Sequence, residues 1–249
     1  MKGLGGDGIM GGTAGSEFMK GKYVLLTGGT GGLGMGVTPA VLARGGILTM
    51  TYRNAQQVER MKSIVSPADF ARIRWVQPNL LDEAAVAQVV NEMERVDVLI
   101  HLVGGFDMGK THDYTYEGFK YQLEMNLHTS FLLAKHCLRR MLETGYGRMV
   151  MISSRVTEQP LGQMAAYGAA KAGLEGMTRA IAQETKGTNI TANVVSPGII
   201  DTPGTRQAMG AENAVNWVKP DSLAAVICFL ASEGAGDIRG AVVPVYGNT

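Results

Sequence analysis

From Lys22 onward, short apolar β-rich runs alternate with helical stretches along the whole chain. The runs are Tyr23–Thr27, Ile47–Thr51, Ile73–Gln77, Asp97–Leu102, Arg148–Ser153, Ile190–Val195 and Val242–Tyr246. Between them the pattern predicts helices from the glycine turn at 28–34 to about Arg44, then over about Ala55–Val65 and Glu83–Glu94. A long helix follows over about Thr115–Leu142, with Leu123, Leu127, Phe131, Ala134, Leu138 and Met141 recurring every three to four residues. Two more are predicted over about Gly162–Lys186 and from Pro220-Asp221 through Leu223–Ala231. Near-continuous apolar strands with helices between them indicate a parallel sheet covered on both faces. Right-handed crossovers make this one doubly wound α/β domain of about seven strands.

Composition narrows the possibilities. The chain has 249 residues, 45% hydrophobic and 18% charged, which suits a single globular domain. A net charge of +1 with scattered Lys and Arg gives no footprint for nucleic acid or an acidic membrane. Cys137 and Cys228 fall in apolar helical patterns, as core thiols in a reducing, cytoplasmic compartment. His101, His112, His128 and His136 have no metal-ligand spacing, so no metal site is expected. No apolar stretch is long enough for a membrane helix. Residues 1–18 are glycine-rich and end Gly15-Ser-Glu-Phe18, the peptide two adjacent cloning sites would encode. They read as an expression leader or a disordered arm, with the domain spanning 19–249.

Thr27-Gly-Gly-Thr-Gly-Gly-Leu-Gly34 joins the first strand to the first helix. A glycine-rich turn there lets backbone N–H groups approach a pyrophosphate, and the helix N-terminus adds a favourable dipole. Gly28, Gly32 and Gly34 would supply the turn and the close packing. The second strand ends Tyr52-Arg53-Asn54, with no acid to take a ribose 2′-hydroxyl. Arg53 is the candidate contact for a 2′-phosphate, which favours NADP over NAD. No basic residue reinforces it within the glycine loop, where position 31 is Gly31.

Tyr167 and Lys171 stand four apart on a predicted helix, and Ser154 lies thirteen positions before the tyrosine, at a strand end. A phenol titrates near 10, and bringing it to about 7 requires roughly 4 kcal/mol. One positive charge about 4 Å away at an effective dielectric of 20 supplies about that much. Lys171, one turn on along the same face, is placed to provide it.

With these motifs the chain resembles the short-chain dehydrogenase/reductase family, in its compact form with one Rossmann-like domain, over residues 20–249. The resemblance implies reversible hydride transfer between a nicotinamide and a carbonyl or secondary alcohol. Tyr167 would be the acid/base, Lys171 its partner and a ribose ligand, Ser154 the substrate-orienting hydroxyl, and Asn126 the support of a proton relay. It also implies cofactor contacts from Gly28, Thr30, Gly32, Leu33 and Gly34, and from Asn79 and Leu80 after the third strand. Further contacts are implied from Leu102 and Gly104 after the fourth strand and from Pro197, Gly198, Ile200 and Thr202 after the sixth. A homo-oligomer, tetramer or dimer, is implied as well. Asparagine is disfavoured inside a helix, which marks Asn126 independently.

The fourth strand departs from the family's usual Asn-Asn-Ala-Gly, reading His101-Leu-Val-Gly104. Backbone contacts would survive that change, whereas side-chain bonds bracing neighbouring strands would not. Asn79 replaces a usual aspartate, and its amide oxygen still accepts a bond. Phe106, Met108, Gln159, Leu161 and Met164 are placed to line a substrate pocket. Residues 201–219 form a lid in which Arg206 meets an anionic group or solvent. The alternative function is a non-catalytic dinucleotide sensor on the same fold.

Overall fold

A computed structural model describes residues 18–249; the leader assignment therefore falls, but for Phe18, outside the described residues. Seven strands form one all-parallel sheet in the order β3-β2-β1-β4-β5-β6-β7. They are β1 (Tyr23–Thr27), β2 (Ile47–Thr51), β3 (Arg74–Val76), β4 (Val98–His101), β5 (Tyr146–Ile152), β6 (Asn189–Pro197) and β7 (Val242–Val245). The doubly wound expectation is met.

Helices cover both faces of the sheet. On one, α1 (Gly34–Ala43) and α9 (Pro220–Leu230) pack with Val24, Leu26, Ile100 and Val150. On the other, α4 (Glu83–Asn91), α6 (Thr129–Thr144) and α7 (Ala165–Glu184) enclose Leu25, Leu99, Met149 and Met151. The strands thus bury side chains of both parities, which explains their unbroken apolar character. Cys137 and Cys228 are free and buried, and burial pushes the Cys228 thiol up to about 11. No helix among the described residues is long and apolar enough to cross a membrane.

Three expectations need correction. The helix expected over 55–65 is α2 (Ala55–Met61), and a separate α3 (Pro67–Arg72) follows. Ser66 caps α3 by accepting from the Asp69 amide, and Pro67 fills its first turn, a start signal legible in Ser-Pro-x-Asp. The lid contains a short helix, α8 (Pro203–Met209).

The third correction concerns the long helix. It comprises α5 (Tyr116–Leu123), a wide π segment (Glu124–His128) and α6. Asn126 causes the break: its Nδ2 donates to the Gln122 carbonyl at 3.0 Å and competes with the backbone ladder. The carbonyls released by the wider turn are taken up by hydroxyls, Thr129 Oγ1 on Met125 O and Ser130 Oγ on Asn126 O, both at 3.0 Å. An i→i+5 turn shifts the following stripe by one residue, about 100°. Ala134 and Met141 of the expected stripe are buried and are joined in the core by Leu133 and Cys137, while Phe131, expected on the apolar face, is half exposed.

Candidate active site

β1 is flanked by β2 on one side and β4 on the other, so the chain winds outward in opposite senses from this pair. A crevice opens beyond their carboxyl ends, where such sheets bind ligands. The glycine turn forms its floor. Gly28 has φ +75°, and a Cβ there would stand 2.9 Å from the Leu102 carbonyl carbon and the Val103 amide. Only glycine lets the turn sit this close to the end of β4. Gly34 opens α1 against the Gly29 carbonyl, and no side chain caps that helix.

The crevice is a cleft of about 610 Å³. Of the expected contacts, Gly28, Thr30, Arg53, Asn79, Leu80, Leu102 and Gly104 line it, joined by Tyr52, Gln57, Tyr121, Met125 and Thr129. Gly32, Leu33 and Gly34 lie behind this wall, in the turn and first residues of α1. The segment after β6 also stands off the cleft. Gly198 donates to Val245 O at 2.9 Å, and Ile200 pairs with Val218. Thr202 of that segment reaches the glycine turn, where a Cβ on Gly32 would meet its Cγ2 at 2.7 Å.

At the outer end, Arg53 anchors its backbone rather than its charge. Its amide donates to Gln57 Oε1 at 3.0 Å and its carbonyl accepts from Gln77 at 2.8 Å, while the guanidinium has no partner among the described residues. A second arginine is present that the loop sequence did not reveal. Arg60 reaches back from α2 to donate to the Thr30 carbonyl at 3.2 Å. The only signal was its place two helical turns beyond Arg53. Asn79 uses its amide oxygen on the Leu81 amide at 3.1 Å, turning the chain towards α4.

The inner end carries the Ser/Tyr/Lys set. Ser154 caps a 3₁₀ turn (Arg155–Thr157), and Tyr167 lies in the first turn of α7. The buried Lys171 Nζ donates to the Ile152 carbonyl at 2.8 Å and stands 5.7 Å from the centre of the Tyr167 ring. Gly104 brings the cleft to this group: a Cβ there would lie 2.7 Å from Asn126 Oδ1 and 3.3 Å from Lys171 Nζ. Asn126 braces the same loop, accepting from the Gly105 amide at 3.2 Å and donating to its carbonyl at 2.9 Å.

The electrostatics differ from expectation. Burial raises the Tyr167 phenol above its ordinary range, and the neighbouring Ser154 hydroxyl pulls the other way. Burial also lowers Lys171, to about 8. The lysine does not by itself make the phenol acidic, because the desolvation that would strengthen their attraction opposes both charged forms.

The His101 departure is also resolved. Its ring is buried between Thr27 Oγ1, 2.6 Å from Nδ1, and Thr129 Oγ1, 3.4 Å from Nε2. The single Thr129 proton goes to Met125 O, so Nε2 must donate and Nδ1 must accept from Thr27. Burial, then the Lys171 charge, depress the imidazole to about 3 and keep it neutral. The expected loss of bracing is therefore wrong. A longer side chain replaces the usual asparagine and ties the end of β1 to the first residue of α6.

On the substrate side, Phe106 packs edge-on against Tyr167 at 5.1 Å. Met108 and Leu161 are exposed. Arg206 is held neither by solvent nor by a ligand site: it forms a forked pair with Asp201, which also takes Lys219.

The family model described as enoyl-(acyl carrier protein) reductase matches residues 28–247. The 3-oxoacyl-[acyl-carrier-protein] reductase MabA of Mycobacterium tuberculosis is 33% identical over 238 residues, covering 91% of this chain and 92% of that protein. Among solved structures, a short chain dehydrogenase/reductase family protein superposes with a TM-score of 0.83 at 30% identity, over 92% of this chain and 97% of that one. The structure titled ElxO with NADP bound gives a TM-score of 0.85 at 25% identity, over 91% and 97%. Sheet order, glycine turn and sequence agree: the chain belongs to the short-chain dehydrogenase/reductase family of nicotinamide-dependent oxidoreductases.

Proposed function

We propose that this protein reduces a carbonyl compound with NADPH, with Tyr167 as proton donor. One observation carries the reading. Tyr167 and the buried, carbonyl-anchored Lys171 share one face of α7 beside Ser154 at the end of β5, and Gly104 joins this group to a cleft that begins at a glycine turn. The residues fit a dinucleotide. Gly28 leaves no room for a Cβ and, among the described residues, the first turn of α1 has no side-chain cap and the Arg53 guanidinium at the outer rim has no partner.

Gly28, Thr30 and the amides at the start of α1 would hold the pyrophosphate. Arg53, with Arg60 behind it, would meet the 2′-phosphate. Thr202, over Gly32, would close the phosphate turn from the lid side. When bound, the nicotinamide supplies the hydride, and in its oxidised form adds a positive charge that lowers the phenol. Ser154 and Tyr167 hold the substrate oxygen, and Tyr167 donates its proton to it. Lys171, fixed by the Ile152 carbonyl, keeps an ammonium beside the phenol. Asn126 supports the path by which that proton is replaced.

The substrate class follows from the relatives: proteins named for 3-oxoacyl groups make a β-keto thioester the first compound to test. Half-exposed Phe131 and Leu142 on α6 support assembly into a homo-oligomer. The test is NADPH consumption across a carbonyl panel that includes acetoacetyl-coenzyme A. Turnover with NADPH over NADH is expected. Tight NADPH binding with no turnover on any carbonyl would favour the dinucleotide sensor instead.

A further inference from the structure

Beside Ser154 stands a second serine, Ser153, which is buried and faces away from the cleft. Its Oγ donates to Glu175 Oε1 at 2.7 Å. Thr157 Oγ1, on the far side of Ser154, lies 2.7 Å from the same oxygen and 3.0 Å from the Ser154 carbonyl. A hydroxyl has one proton, and the carboxylate is the stronger acceptor. Glu175 is itself buried in α7, one turn beyond Lys171 and two beyond Tyr167 on the same face. Its other oxygen has only a longer contact, 3.3 Å to the exposed Arg179.

A single carboxylate oxygen thus joins two segments. One is the strand end and 3₁₀ turn that present Ser154; the other is the helix that presents Tyr167. Burying a carboxylate is unfavourable unless it is bonded and paired. An apolar side chain would fill the same place without that penalty. What the carboxylate adds is a fixed spacing between the two segments, held by short charge-assisted bonds on either side of Ser154.

We propose that Glu175 is a positioning residue: by gripping Ser153 and Thr157 it sets where the Ser154 hydroxyl stands relative to the Tyr167 phenol. This rests on Ser154 and Tyr167 being the groups that hold the substrate oxygen. Loss of alignment in such a pair is felt in kcat, since misplacement by about 1 Å costs up to about 100-fold. Dinucleotide affinity is set elsewhere in the cleft and stays unchanged.

The test is a double-mutant cycle on NADPH-dependent reduction of acetoacetyl-coenzyme A, with NADPH fluorescence titration and thermal melts for every variant. Glu175→Ala is expected to lower kcat about 10- to 50-fold, within that range for misalignment, with NADPH affinity unchanged. Glu175→Gln keeps an oxygen that accepts from both hydroxyls and is expected to restore kcat to within about threefold. In a Ser154→Ala background, Glu175→Ala is expected to add less than about twofold, because the two act through one interaction. Losses that multiply, or equal losses in Ala and Gln, would overturn the proposal. Should Glu175→Ala not fold, Thr157→Val removes one donor alone, and wild-type kcat there would be equally fatal. A crystal structure of Glu175→Gln or Thr157→Val needs no substrate. A displaced Ser154 in Thr157→Val and an undisturbed one in Glu175→Gln are expected; the reverse pattern overturns the clamp. Equal turnover in wild type and Tyr167→Phe would instead remove the catalytic reading and leave the structural arm to decide the clamp.

Discussion

The two ends of the cleft are built on different principles. At the inner end, Lys171, Asn126, His101 and Glu175 are buried, and each is held by hydrogen bonds from more than one segment or by burial itself. At the outer end, Arg53, Gln77 and Asn79 are exposed and Gln57 is half-buried, and the surface is shaped by backbone and by glycine. Proton transfer needs groups whose position and charge are fixed before substrate arrives. Holding an adenosine phosphate needs only charge and space, so long side chains in solvent suffice. The inner end should respond to substitution steeply and almost independently of salt; the outer end should respond mildly and through salt.

The sharpest way to break this contrast is Tyr167→Phe. It is expected to reduce turnover by about 10²- to 10⁴-fold, the usual range for a general acid, with NADPH affinity unchanged. Assays of kcat alongside fluorescence titration check both halves. Next is Arg53→Ala: removing the charge-assisted bonds proposed to the 2′-phosphate, worth about 1.5–3 kcal/mol, is expected to weaken NADPH roughly 10- to 100-fold while sparing NADH. The NADPH preference should also shrink as ionic strength rises, because exposed charges are screened. A preference that survives high salt would show the outer end to be buried in the complex.

A third test concerns pH. Lys171 is lowered to about 8, so its ammonium is present below that pH and lost above it. For the free enzyme, kcat/KM is expected to fall as pH rises through about 8. The smallest effect concerns His101. Its folded value of about 3 lies below its ordinary 6.5, so the unfolded chain binds the extra proton. Stability is complete above pH 6.5 and is lost as pH falls, by about 2 kcal/mol between pH 6.5 and 5. Urea melts should show this acid loss in wild type and a flatter profile in His101→Phe. Nitrogen NMR should find Nε2 protonated throughout, and an Nδ1–H form would contradict the bonding chain.

Much of this was legible in the chain. The strand and helix alternation gave all seven strands in place, because a doubly covered parallel sheet writes its strands as apolar runs. Ser154, Tyr167 and Lys171 were legible because helix period and strand ends fix their placement. Partnerships between distant segments were not legible. Arg60 on the glycine turn and Glu175 on Ser153 span 30 and 22 positions, and nothing local marks either pair. The π segment was half legible: Asn126 stood out, but its effect on the apolar stripe depends on how the ladder accommodates it.

That wide turn has a consequence for how the long helix works as a mechanical part. It splits one rod into two lengths indexed separately, α5 against α7 and α6 against the sheet and α4. Removing a single residue between 124 and 128 would let the rod close up as uniform helix. Side chains downstream would keep their sockets, because the wide turn absorbs just the one residue that the deletion removes; closing the turn at full length would instead rotate α6 by about 100°.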